Sequence, residues 1–211
     1  QINKFNQVEI LNSSSVTCEG VKKGKIVSTD AVARAIRFAV SDIEATQDFI
    51  IKSAYVNIIG KYVSIFKTKY GVKLEDKYAG VSQKNIDSLI RNVGEIEIPD
   101  GQQIIDIVPT RFITDSRITD DPIGIFTDSL EAEFDVIIAD KMAVKNIGMA
   151  MQKAGLLIDG IVINGYAMKE IVLSEEEKKQ GVLLLDISSG SVDISVFKEN
   201  GVLYTDTIPV G

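Results

Sequence analysis

The 211 residues include no histidine and a single cysteine, Cys18. Without histidine there is no Ser-His-Asp or Cys-His catalysis and no imidazole-bound metal. One thiol cannot form an internal disulfide, nor build a zinc site without His or Cys partners. This usage is that of a reduced, cytosolic protein, with Cys18 an ordinary thiol. No run approaches the ~20 apolar residues that span a bilayer, and no signal peptide is legible. An initiating Met is missing too. The chain begins at Gln1 and ends at Gly211, directly after a strand-like run, an outline expected of part of a longer protein. Basic charge is in deficit, with 23 Lys and Arg against 30 Asp and Glu and a net charge of −7. A sequence-independent grip on nucleic acid needs clustered cations, so no nucleic-acid partner is expected.

Apolar material is ample, at 45% hydrophobic residues, enough for a real core. Val8–Ile10 and Lys25–Val27 read as short strands around the turn Gly20-Val21-Lys22-Lys23-Gly24. A helix capped by Ser28 or Thr29 follows, with Val32, Ile36, Ala39, Val40 and Ile43 at helical spacing. Ala54–Ile59 is an apolar strand. Strand, helix, strand in that order suggests a covered, partly parallel sheet.

A second block reads strand, helix, strand, strand: Val63–Thr68, a helix capped by Ser82 with Ile86, Leu89, Ile90 and Val93 on one face, Ile104–Val108 ended by Pro109, and Phe134–Ile138. Its loop over 115–129 is rich in Asp, Thr, Pro and Gly. Asp115, Asp120, Asp121 and Asp128 lack the spacing of a calcium loop. Phe112, Phe126 and Phe134 are expected in this block's core.

The third block returns to α/β. Asp140 can cap a helix carrying Val144, Ile147 and Met151 that Gly155 stops. Gly160–Ile163 reads as a strand, Gly165–Leu173 as a short helix and Glu175-Glu176-Glu177-Lys178-Lys179 as a solvated charge run. Val182–Leu185 has the continuous apolar run of a buried strand. Ile194–Phe197 and Val202–Ile208 flank Lys198-Glu199-Asn200-Gly201, a hairpin signal.

The chemistry concentrates in Leu185-Asp186-Ile187-Ser188-Ser189-Gly190-Ser191-Val192-Asp193-Ile194. A strand delivers an Asp, a turn of small residues follows, and a second strand leads away. Small residues let backbone N–H groups approach a phosphate, and an Asp at a strand end can hold a hydrated Mg²⁺ beside it. The pattern alone is equally that of a plain β-turn.

That stretch resembles the second phosphate loop of the actin, Hsp70 and sugar-kinase superfamily, D-x-G-G-G-T-x-D. Over almost the whole chain the resemblance is to the FtsA family of actin-like cell-division proteins. Val21-Lys22-Lys23-Gly24 is similar to the family's K-K-G turn. Ala54–Gly60 is similar to its Y-V-G-I-x-G strand. Val81-Ser82-Gln83-Lys84-Asn85-Ile86-Asp87 through Ile98-Pro99, then Ile104–Pro109, resembles the start of the inserted subdomain 1C. The implied fold is α/β: an actin-like, ribonuclease H-like subdomain 1A with a small α+β subdomain 1C inserted. Residues 1–80 and 140–211 would be subdomain 1A and residues 81–139 subdomain 1C.

The resemblance further implies ATP and Mg²⁺ as ligands of the intact protein. Asp186, Ser188, Ser189, Gly190 and Ser191 would bind the cofactor, and Asp186 the Mg²⁺ through water. It implies FtsZ as a partner through a region outside this chain, and late division proteins and self-assembly through 1C. Membrane contact would come only through a C-terminal helix outside this chain, at the inner face of the cell membrane at the division site. Two departures stand out. Ser188 replaces a family glycine, and Asn164 stands where relatives carry a Glu or Gln that orients the attacking water. An amide can hold water but cannot act as a base, so at most a weak ATPase is expected.

Overall fold

The computed structural model describes residues 8–74, 76, 78–115, 117–188, 190–199 and 201–209. The first elements are β1 (Val21–Lys22), β2 (Lys25–Ile26), α1 (Thr29–Glu44) and β3 (Ser53–Ile58). A 3₁₀ turn (Gly60–Tyr62) leads to β4 (Val63–Lys73), α2 (Gln83–Val93), β5 (Gln102–Thr114), β6 (Ile118–Thr119) and β7 (Ser129–Asp140). Then come α3 (Lys141–Ala154), β8 (Leu157–Ile163), α4 (Asn164–Val172), α5 (Glu175–Gln180), β9 (Val182–Ile187), β10 (Ser191–Lys198) and β11 (Gly201–Pro209). Two compact units divide the chain: residues 8–56 with 143–160, and residues 57–142 with 161–209.

In the first unit, β1 and β2 form a hairpin. Lys23 and Gly24 both take positive φ, 48° and 72°, as a two-residue type I′ turn requires. The Ser28 hydroxyl caps α1 by accepting from Ala31 N–H. Lys153 of α3 ties the start of α1, its Nζ lying 2.9 Å from Asp30 Oδ1 and 3.0 Å from Thr29 Oγ1. That ammonium holds the Asp30 carboxyl below the usual carboxylate range. Gly155, at φ 83°, ends α3 as expected. Val8–Ile10 do not make the expected strand. Glu9 and Ile10 lie outside any ladder, and Val8 and Ile10 are each 84% exposed.

In the second unit, the antiparallel sheet β4-β7-β5-β6 carries α2 on one face. Ser82 and Asn85 form a capping box at the start of α2, which satisfies orphan N–H groups reciprocally. Ile86, Leu89 and Val93 pack against Phe112, Leu130, Phe134 and Val136. The even-numbered positions of β7 therefore face α2. The sheet begins at Val63, whose strand pairs with β7 over its whole length, upstream of the boundary expected at residue 80.

Two expectations fail here. The strand does not stop at Pro109 but runs to Thr114. The ladder shifts register between Pro109 and Arg111, and at a bulge on a strand lacking a second partner there, proline removes no ladder bond. Phe126 is 69% exposed rather than in the core. The Asp-rich loop is closed by its own carboxylate. Asp115 accepts from the Ser129 hydroxyl at 2.7 Å, Asp128 N–H at 2.6 Å and the Thr127 hydroxyl at 2.9 Å.

The same unit holds a second antiparallel sheet, β11-β10-β9. The expected buried strand at Val182–Leu185 is instead half-open, with Leu183 55%, Leu185 47% and Ile187 75% exposed. The charge run is the short helix α5 with a Ser174–Glu177 capping box. Its Lys178 is buried and bridges Glu170 and Glu175.

Candidate functional site

Strands β9 and β10 make a tight hairpin. Ser188 N–H donates to Ser191 O at 2.9 Å, leaving a two-residue connection. Pairing is symmetric about that turn, so Asp186 lies directly opposite Asp193. On the other side of β10, Thr207 of β11 lies opposite Asp193. Cross-strand neighbours point to the same face. Two carboxylates and a hydroxyl thus stand in a row across three strands.

Asn164, the first residue of α4, completes the row. Its Nδ2 donates to Asp186 Oδ2 at 2.5 Å and to Asp193 Oδ2 at 3.5 Å. Thr207 Oγ1 donates to Asp193 Oδ1 at 2.6 Å and accepts from Lys61 N–H at 3.2 Å. Ser188 Oγ lies 3.4 Å from Asp186 Oδ1. Two glycines allow this approach. A Cβ on Gly165 would stand 2.1 Å from Ser195 Oγ, and one on Gly60 3.0 Å from Thr205 Oγ1. Hence α4 sits directly on β10, and the 3₁₀ turn on β11.

Asp186, Ser188, Gly190, Ser191 and Asn164 are therefore brought to one end of one sheet. Ser189 lies outside the described residues, as does Asn200 of the next hairpin. Among the described residues the only non-glycine positive φ values are at Lys23 and Glu199. Ser188 thus avoids the left-handed conformation that would make its Cβ costly. A Cβ on Gly190 would meet nothing within 4 Å, so the space above the turn is open. Asp193 and Thr207 had no assigned role in the sequence reading. Asp193 was signalled by its mirror position to Asp186 across the turn; Thr207 had no such signal.

The donor set suits a hydrated divalent cation. Among the described residues neither Asp186 nor Asp193 is paired with a Lys or Arg, so two adjacent negative charges are left uncompensated. No group of three or more metal-ligating side chains occurs among those residues. A cation here would keep most of its waters, which is the habit of Mg²⁺.

The opposite face of the four-stranded sheet adds a second polar node. The Asp135 side chain on β7 is fully buried. It accepts from Lys67 Nζ at 2.8 Å, Tyr166 OH at 2.6 Å and Val202 N–H at 2.7 Å. Burial, followed by the Asp135 charge, pushes the Tyr166 phenol far above its usual range.

A family described as the SHS2 domain inserted in FtsA matches residues 60–138. In solved structures the fold is similar to the PilM-PilN type IV pilus biogenesis complex, at TM-score 0.51 and 18% identity, over 92% of this chain and 52% of that one. The fold is accordingly α/β and actin-like, with a small α+β domain inserted. By sequence the chain is similar to cell division protein FtsA of Neisseria meningitidis serogroup B, at 30% identity over 100% of this chain and 51% of that protein. Against FtsA of Bacillus subtilis the identity is 31%, over 98% and 47%. The chain is thus similar to FtsA over its whole length, and it spans about half the length of the curated relatives it matches.

Proposed function

We propose that this chain is the part of an FtsA-type cell-division adaptor that receives the phosphates and Mg²⁺ of ATP at the turn 188–191. The observation that carries this reading is the row Asp186, Asp193 and Thr207, braced by Asn164, beside an open turn of small residues. Asp186 and Asp193 would hold the hydrated Mg²⁺. Ser188, Ser189, Gly190 and Ser191 would line the phosphate. In the full-length protein this site would gate self-assembly and the linking of the FtsZ ring to the membrane and to late division proteins. The four-stranded sheet and α2, from about residue 60 to 138, would be subdomain 1C and contact late partners and other copies. The flanking parts would be subdomain 1A. The protein would act in the cytoplasm, at the inner face of the membrane where division occurs.

One observation favours a second reading, an actin-like scaffold with a degenerate nucleotide site. The Asn164 amide is occupied by both carboxylates, and an amide cannot accept a proton from water. Turnover of ATP is then slow or absent even where ATP binds.

Calorimetry of Mg–ATP against the full-length protein, beside Asp186→Ala, tests the choice. Binding by the parent that the variant weakens by about ten- to hundredfold supports the adaptor reading. Absence of binding by both supports the scaffold.

A further inference from the structure

Two of the four elements that carry the row at Asp186, α4 and β11, also reach the buried Asp135. Helix α4 begins with Asn164 in the row and places Tyr166, two residues on, against Asp135 Oδ2 at 2.6 Å. Strand β11 carries Thr207 in the row and, at its start, the Val202 N–H that donates to the same Oδ2 at 2.7 Å. Lys67, on the neighbouring strand of the inserted domain, holds the other oxygen. One carboxylate of the inserted sheet thus fastens a helix and a strand whose other positions form the candidate site.

A cavity of about 160 Å³, lined by Ile105, Ile137, Ile163, Tyr166 and neighbours, separates helix α4 from the sheet. The Tyr166 ring is steadied on its far side by Phe197, edge-on at 6.1 Å, and by Lys169 Nζ at 4.7 Å. Its hydroxyl has Asp135 as partner. At β11 the approach depends on Gly201, where a Cβ would stand 2.8 Å from Lys67 Nζ and 3.1 Å from Asp135 Oδ2. Leaving a buried carboxylate short of a hydrogen-bond donor is costly. The three contacts therefore stand or fall together, as members of a buried polar network do.

We infer that Asp135 is a positioning residue for the Asn164–Asp186–Asp193–Thr207 site, coupling that site to the inserted domain through Tyr166 and Val202. The inference rests on the proposed phosphate site for its ligand but not for its geometry. Displacing α4 or β11 at the site would loosen Asp135, and loosening Asp135 would displace both.

The test uses the full-length protein and three variants. Tyr166→Phe removes one hydroxyl and keeps the ring. Asp135→Asn keeps the shape and removes the charge. Asp115→Asn breaks the loop clasp of the inserted domain without touching Asp135, and so controls for stability lost there. Hydrogen exchange of the nucleotide-free proteins, followed over residues 161–173 and 201–209, reads the coupling by itself. Both segments should exchange about tenfold faster in Asp135→Asn, and the first also in Tyr166→Phe, with Asp115→Asn like the parent. Mg–ATP affinity should fall about fivefold in Tyr166→Phe and further in Asp135→Asn.

Parental exchange in Tyr166→Phe would overturn the inference even if Asp135→Asn failed to fold. So would equal acceleration by Asp115→Asn. Unchanged affinity in a parent that binds Mg–ATP would also overturn it. A parent that binds no Mg–ATP would defeat the proposed function alone, and the exchange data would still decide the role of Asp135.

Discussion

The two sheets of the second unit differ in how they are held. In β4-β7-β5-β6 the central strand is buried on both faces: Phe134, Val136 and Ile138 face α2, while Asp135 and Ile137 are buried on the other side. In β11-β10-β9 one face keeps Leu185, Ile187, Tyr204 and Ile208 substantially exposed, and the other carries the polar row. Stability of the unit is therefore concentrated in the inserted sheet. The smaller sheet buries Phe197 and Val202 but leaves its other face open, and fewer buried apolar contacts make local opening easier. Its hairpin tip is anchored to the larger sheet through Asp135 and through Arg111, whose Nη2 lies 3.0 Å from Glu199. A polar site with few apolar contacts of its own borrows its rigidity from a neighbour.

The contrast can be broken most severely at the large core. Phe134→Ala should cost about 4 kcal/mol, read as a shift in the urea unfolding midpoint followed by circular dichroism. A loss under 1 kcal/mol would show that the inserted sheet is not the stable partner. Gly165→Ala comes next. Its methyl would overlap the Ser195 side chain, so α4 must move off β10 at a cost of about 2 kcal/mol. Equal midpoints for parent and variant would mean that the close approach is not needed.

Smaller effects sharpen the same comparison. Ser82→Ala removes the capping box of α2 and should cost about 1 kcal/mol, with unfolding of the inserted sheet lowered and Mg–ATP affinity unchanged. The slightest effect is one of pH. Three hydrogen bonds, the Ser129 hydroxyl first, hold the Asp115 carboxyl below its ordinary 3.8. A carboxyl depressed on folding contributes stability that is complete above its unfolded value and lost as pH falls through its folded one. Melting temperature should therefore drop below about pH 4 more steeply in the parent than in Asp115→Asn. Parallel curves would remove Asp115 as the clasp.

Much of this architecture was legible beforehand. The capped helices at Ser28 and Ser82, the stop at Gly155, the strand-helix-strand-strand block and the β10–β11 hairpin all follow from local chemistry: caps, apolar spacing and turn residues. Errors arose where context overrode that chemistry. Val8–Ile10 has strand-like residues but makes no strand beyond a single bridge at Val8. Pro109 ended a strand on paper because its missing N–H matters only where a partner would receive it. The run at Val182–Leu185 looked buried because apolar content does not say whether a second layer covers it.

The candidate site divides the same way. Asp186 and Asp193 mirror each other across a turn of small residues, so their opposition is implicit in the order of residues, because a two-residue hairpin has only one register. Continuing that logic from the Lys198–Gly201 pair would set Asp193 against Asp206, two like charges. The ladder instead shifts by one residue between Val196 and Phe197, which brings Thr207 opposite Asp193 and turns repulsion into a hydrogen bond. Nothing local to β11 announces that bulge. Asn164, 22 residues before Asp186, and Asp135, 31 before Tyr166, reach their partners only when helix and sheets pack. Local sequence could dictate turns, caps and the Asp186–Asp193 pair because each depends on neighbours within a few residues. Register across the bulge, burial of Asp135 and the meeting of α4 with both sheets were left to tertiary structure, since each depends on surfaces distant in the chain closing on one another.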